Sequence, residues 1–151
     1  MSVSGRYTPK GFKGPFKGKG GAQRQLKKLD QEIVSVRLEM GELVERYKNT
    51  FRPPWAAYLS KHNWEAGMRV RWRTRGVNGR QHHFDILNRD SPHAQVFLAA
   101  MPKNAWETLL AFEEDRLALN FTASLLEHEH RRVRAYLEAM LRMEALRKTP
   151  A

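Results

Sequence analysis

Met68-Arg69-Val70-Arg71-Trp72-Arg73-Thr74-Arg75 is the stretch on which the fold and the chemistry of this chain turn. Every second residue is arginine, and the residues between are β-branched or aromatic. In an extended strand successive side chains point to opposite faces, so Arg69, Arg71, Arg73 and Arg75 line one face and Val70, Trp72 and Thr74 the other. Four guanidiniums in a row repel one another, so such a row is either solvated or holds something anionic.

Downstream, the sequence predicts that this strand turns back on itself. Pairing Gly76 with Arg80 across Val77-Asn78-Gly79 puts a glycine where a three-residue hairpin loop needs a left-handed residue. The same register sets Trp72 opposite Phe84, Val70 opposite Ile86 and Arg71 opposite Asp85. Apolar pairs then share one face, with His83 joining the arginines on the other, an arrangement that a slip of one residue would destroy. The hairpin is expected over residues 68–88.

Upstream, Leu26, Leu29, Ile33, Val36, Met40, Leu43 and Tyr47 recur three and four residues apart, the spacing of a helix that buries a narrow stripe against another helix. Arg52-Pro53-Pro54 stops it. Starting from Ala22 the helix is about 28 residues, or ~42 Å, long. Between it and the hairpin, Trp55, Ala56, Tyr58 and Leu59 suggest one or two further helical turns, closed by Gly67. Residues 1–21 hold six glycines, two prolines and five lysines or arginines, interrupted by Tyr7, Phe12 and Phe16. That composition buries too little apolar surface to offset the entropy of ordering it, so a flexible basic arm is expected.

After the hairpin, Ser91-Pro92 is a helix start, with serine capping and proline in the first turn, and Val96 to Met101 follow before Pro102. Asn104 with Glu107 resembles a second capping pair. The last helix is expected from about Ala105 to Arg147. Leu109, Leu110, Phe112, Leu117, Leu119, Phe121, Leu125 and Leu126 would form a broad apolar face, and Val133, Leu137, Met140 and Leu141 a narrower one. Its span of ~64 Å implies either a bend or a projecting end.

The chain has 151 residues, enough for a single domain with a modest core, and a net charge of +11. Eight basic residues and no acidic one lie in residues 1–28, so the rest is close to balanced. Such a charge makes nucleic acid, an anionic membrane surface or an acidic protein the natural partner. There is no cysteine, which removes disulfides, thiolate metal sites and cysteine nucleophiles and fits a reducing cytoplasm. The N-terminus lacks the apolar core of a secretory signal, and the longest apolar run falls far short of the ~20 residues of a spanning helix. A cytoplasmic protein without a membrane partner is expected.

The arginine row is the leading functional element. Residues two apart on a strand stand ~6.6 Å from each other, a spacing that the phosphates of an extended single strand follow more easily than the ~3.4 Å axial repeat of each duplex strand. Trp72 could stack on a base, but the register assigns it to the core face. Lys13, Lys17, Lys19 and Arg24 add basic side chains, and Lys17-Gly18-Lys19-Gly20-Gly21 stands before a helix N-terminus whose amides attract phosphate. It is not a nucleotide-hydrolysing P-loop, since the glycine spacing differs and no serine or threonine follows the lysine. His128 and His130 are two apart on a helix and His82 and His83 adjacent on a strand, so neither pair converges on a metal. No spacing suggests a catalytic triad, a paired carboxylate or a cofactor site. Arg131-Arg132-Val133-Arg134 reads as a solvated helix face.

Pro15-Phe16-Lys17-Gly18-Lys19-Gly20, the Arg71-Trp72-Arg73 strand and the run Arg116-Leu117-Ala118-Leu119-Asn120-Phe121-Thr122-Ala123-Ser124-Leu125 give the chain a likeness to a known family. By length, order and these short motifs, residues 12–145 resemble an uncharacterised family of bacterial integrative and conjugative elements, domain of unknown function 3158. The resemblance transfers no catalytic residue. It implies a setting: element maintenance and transfer clusters, beside single-strand-binding and topoisomerase-like proteins.

The expected fold is mainly α with one β-hairpin, an α+β arrangement of two long packed helices, short helices and a two-stranded antiparallel hairpin within a single domain, residues 22–148. The expected function is non-enzymatic binding of nucleic acid, DNA favoured over RNA, through Arg69, Arg71, Arg73 and Arg75 with Lys13, Lys17, Lys19 and Arg24. A second possibility is a helical adaptor whose heptad stripe pairs with another copy or an element-encoded partner, the charge then serving solubility.

Overall fold

The computed structural model describes residues 16–52, 57–64, 67–75, 81–84, 87 and 90–149. In chain order they form helix α1 (Gly18–Thr50), strands β1 (Ala57–Trp64), β2 (Gly67–Arg75) and β3 (Gln81–Phe84), helix α2 (Pro92–Ala100), a 3₁₀ turn (Lys103–Ala105) and helix α3 (Trp106–Lys148). The fold is mainly helical with an antiparallel hairpin, as the sequence implies. Lys13 of the basic arm, Asp85 and Ile86 lie outside the described residues.

The heptad stripe of α1 does what its spacing demands. Leu29, Val36, Met40, Leu43 and Tyr47 are buried, and the helix against which they pack is α3 of the same chain. The two helices run antiparallel: Arg46 meets Asp115 at 3.5 Å, Asp30 meets His130 at 2.9 Å and Lys19 meets Glu144 at 3.3 Å. The stripe is therefore occupied within the chain. α3 is 43 residues long, ~64 Å at 1.5 Å per residue. α1 accompanies it as far as Glu144, and Phe16 sets its ring edge-on to Tyr136 at 5.1 Å. Only the last turn of α3 lies beyond that pairing. α1 itself starts at Gly18, whose φ is +66°. Helix thus takes in the glycine-rich end of the expected arm, because Gly21 closes directly on Phe16 and Ala22 is fully buried.

The main correction concerns residues 57–64. The expected helical turns are a strand: β1 pairs antiparallel with β2 from Ala57↔Thr74 to Trp64↔Gly67, so the sheet has three strands in the order β1-β2-β3. Alternation explains it. Ala57 and Leu59 are buried and Tyr58 and Ser60 are half-exposed, a period of two that the apolar spacing Trp55-Tyr58-Leu59 conceals. The β2–β3 register is the expected one, with Trp72↔Phe84 and Arg73↔His83 paired.

One face of the sheet carries Ala57, Leu59, Val70, Trp72 and Thr74, all buried, and forms the core with α1, α2 and α3. Trp72 is fully buried, edge-on to Tyr47 at 5.4 Å and tilted against Phe97 at 5.5 Å. The Tyr47 hydroxyl donates to the Ala57 carbonyl at 3.0 Å, and burial pushes its ionisation far above that of an ordinary tyrosine. Ser91 caps α2 by accepting from the Ala94 amide at 3.4 Å. The second expected cap is absent: Asn104 lies in the 3₁₀ turn and α3 starts without a side-chain cap.

α3 departs from expectation in which face it buries. Leu109, Phe112, Arg116 and Ala123 point inward, whereas Leu110, Leu117, Phe121 and Leu125 are exposed. The expected face is thus divided: Leu109 and Phe112 are buried and Leu119 and Leu126 pack against the core, beside polar residues that hold the sheet.

Candidate nucleic-acid interface

β2 is fixed in place by one row of α3 side chains three, four and seven residues apart, Glu113, Arg116, Asn120 and Glu127. Glu113 Oε2 accepts from Trp72 Nε1 at 2.6 Å and from Arg116 Nε at 2.9 Å, and Oε1 accepts from Arg116 Nη2 at 2.6 Å. Arg116 is 1% exposed and also donates to the Val70 carbonyl at 3.2 Å. A buried ion pair persists only when its remaining hydrogen-bonding positions are filled, and here Trp72 and the β2 backbone fill them. The Asn120 side-chain amide then meets both backbone groups of Val70, donating to its carbonyl at 2.8 Å and accepting from its amide at 2.9 Å. A side chain thus completes the β2 ladder two residues before the first described β3 pair.

The last member of the row overturns part of the expected site. Glu127 takes Arg69 in a two-pronged ion pair, Oε2 accepting from Nη2 at 2.8 Å and Oε1 from Nη1 at 3.1 Å, with the two side chains only 15% and 11% exposed. Gly67 makes room for it. Its φ is +127°, and a Cβ there would overlap the Glu127 carboxylate. Arg69 is therefore a structural anchor between sheet and helix and leaves the anion-binding row.

Arg71 and Arg73 differ. They stand on the outward face of β2 with their side chains half-buried, and among the described residues neither has a carboxylate partner. The Nε–H of each is buried without a hydrogen-bond acceptor. Arg73 lies over the ring of Tyr58, its paired residue on β1, at 5.9 Å, within cation–π range. Ser60 pairs with Arg71. The backbone register pairs Arg73 with His83 and Arg75 with Gln81.

The remaining basic candidates are elsewhere. Lys17, Lys19 and Arg24 occupy the start of α1, and Tyr47, which touches Trp72 under the sheet, lies 23 residues past Arg24, ~35 Å along the helix. Lys19 is paired with Glu144, while Lys17 and Arg24 are exposed. Among the described residues, the expected basic candidates therefore separate into a sheet face and a distant helix end.

Comparison with protein-family models, curated proteins and solved structures finds no match. The likeness to a mobile-element family gains no support from them. Among the described residues no helix is long and apolar enough to cross a membrane, and no three or more histidines, aspartates or glutamates gather as metal ligands.

Sequence reasoning missed Tyr58 and Ser60, because β1 was read as helical, and the partners Glu113, Arg116, Asn120 and Glu127. The Tyr58-Leu59-Ser60 alternation was a usable signal for the former. For the latter only the three-and-four spacing existed, and it names a helix face without saying what the face meets.

Proposed function

We propose that this protein is a non-enzymatic nucleic-acid-binding protein, DNA favoured over RNA, that grips phosphates on the outward face of its sheet through Arg71 and Arg73. The observation that carries the reading is the contrast within one strand: Arg69 is neutralised by Glu127, whereas Arg71 and Arg73 each keep an N–H without a protein acceptor. A half-buried guanidinium whose Nε–H has left water without finding a protein acceptor gains from an anion that its side chain can turn to meet. The Arg73 guanidinium carbon lies over the Tyr58 ring at 5.9 Å, so part of the entropy of fixing that cation is already spent before binding. Arg75 follows on the same alternation. Lys17 and Arg24 would touch phosphates only on a strand long enough to pass from the sheet to the start of α1.

Phosphate contacts carry no base information, so the proposed binding is sequence-tolerant. Within this proposal, the likeness to integrative-element proteins suggests the setting, a bacterial cytoplasmic accessory factor of a mobile genetic element. The test is fluorescence anisotropy with a labelled single-stranded oligonucleotide across a salt series. Each neutralised phosphate contributes ~0.7 to the slope of log affinity against log salt for a single strand. An Arg71→Gln, Arg73→Gln variant should lower that slope by ~1.4, and Arg69→Gln, once its folding is verified, should leave it unchanged. Equal slopes in wild type and the double variant would refute the assignment. Matched duplex DNA and RNA identify the preferred polyanion.

A further inference from the structure

α3 carries a second apolar stripe that none of the described residues covers. Leu110, Leu117, Phe121 and Leu125 are 46%, 53%, 66% and 54% exposed, and at 3.6 residues per turn they fall in one sector roughly 80° wide. The residues that α3 buries against α1 and the sheet centre on the opposite side. The stripe has charged ends: the same sector holds Glu107 and Glu114 towards the N-terminal end of the helix and His128 and Arg132 beyond Leu125, all exposed.

We propose that a second copy of this chain covers the stripe, its α3 lying antiparallel to the first about a two-fold axis between Ala118 and Phe121. Charge selects both occupant and direction. In the register that sets Ala118 of one copy against Phe121 of the other, Glu107 of each falls opposite Arg132 of its mate, and Glu114 comes within one turn of His128. A small side chain then faces a large one at the centre, which lets the two surfaces interleave. Parallel pairing would set acid on acid and base on base. The antiparallel pair is self-complementary and closes at two chains. It uses none of the sheet-face residues, so it stands or falls independently of the proposed phosphate grip.

Sedimentation equilibrium on the full chain should give twice the 17.6 kDa chain mass. Phe121→Asp alters a side chain 66% exposed, so it should yield a monomer with the wild-type circular dichroism spectrum. Glu107→Arg should weaken the dimer by roughly threefold to tenfold, as expected for two exposed ion pairs, and adding Arg132→Glu should restore it. Because the chain has no cysteine, Ala111→Cys accepts a single spin label. Antiparallel pairing separates the two labelled sites by about 26 Å along the helices, and parallel pairing by only about 10 Å. A monomeric wild type, a dimer indifferent to Phe121→Asp, or the short label distance would each overturn the proposal.

Discussion

Glu113→Gln probes the contact that seats the sheet on α3. Glutamine preserves the shape of the side chain but has one acceptor oxygen where glutamate has two. Three N–H groups point at those two oxygens: Trp72 Nε1 at 2.6 Å, Arg116 Nε at 2.9 Å and Arg116 Nη2 at 2.6 Å. The substitution therefore sets an NH₂ against at least one donor and takes the charge of Glu113 away from the guanidinium of Arg116, which is 1% exposed. Breaking one partner of a buried pair costs about 3–5 kcal/mol, which for a chain of this size lowers Tm by roughly 10 °C. Urea unfolding followed by tryptophan fluorescence reads the loss. Glu113→Leu combined with Arg116→Met removes both charges together and should cost less than Glu113→Gln alone, since no uncompensated charge remains in the core. If Glu113→Gln costs under about 1 kcal/mol, or the double variant is the worse of the two, the buried pair does not hold the sheet in the manner described.

Two glycines should respond in opposite directions. Gly67→Ala, at φ +127° and against the Glu127 carboxylate, should destabilise by about 2–4 kcal/mol and release Arg69. Gly41→Ala lies inside α1, where a methyl meets only Lys61 Nζ at 3.6 Å, and should stabilise by about 0.5–1 kcal/mol in the same urea assay. Tyr47 makes stability alkali-sensitive. Its folded-state pKa is raised by burial, so its contribution is complete below the ordinary tyrosine value of about 10 and falls by up to ~1.4 kcal/mol per pH unit above it. Tyr47→Phe should cost about 1 kcal/mol at pH 8 through the lost hydrogen bond to Ala57, and the gap should close as pH rises past 10. A gap that stays constant would remove Tyr47 from the alkaline transition.

What the sequence disclosed follows from what is local. The α1 stripe and the β2–β3 register are periodic, and each is enforced by neighbours only a few residues away. Pairing Gly76 with Arg80 therefore sufficed to place Trp72 opposite Phe84. β1 escaped because its two buried residues, Ala57 and Leu59, are flanked by aromatics at a spacing equally suited to a helix. On α3 the apolar count pointed to eight residues, of which Leu109 and Phe112 are buried while Leu117 and Phe121 are exposed, and the helix buries Arg116 and Glu113 beside the former. That preference arises from Trp72 and Val70, some 40 residues earlier in the chain, and nothing local to the helix encodes it. The division of the arginine row is tertiary for the same reason. Arg69 and Arg71 are equivalent by alternation, and only the arrival of Glu127 beside Gly67 separates them.

Arg71 and Arg73 are the proposed phosphate-binding side chains of the sheet. Arginine Nε–Hε resonances, assigned by substitution and followed by NMR while a single-stranded oligonucleotide is titrated in, test it most directly. Progressive shifts are expected at Arg71 and Arg73 while Arg116 and Arg69 stay fixed in their carboxylates. Saturable binding that shifts other arginines and leaves Arg71 and Arg73 unmoved would contradict it.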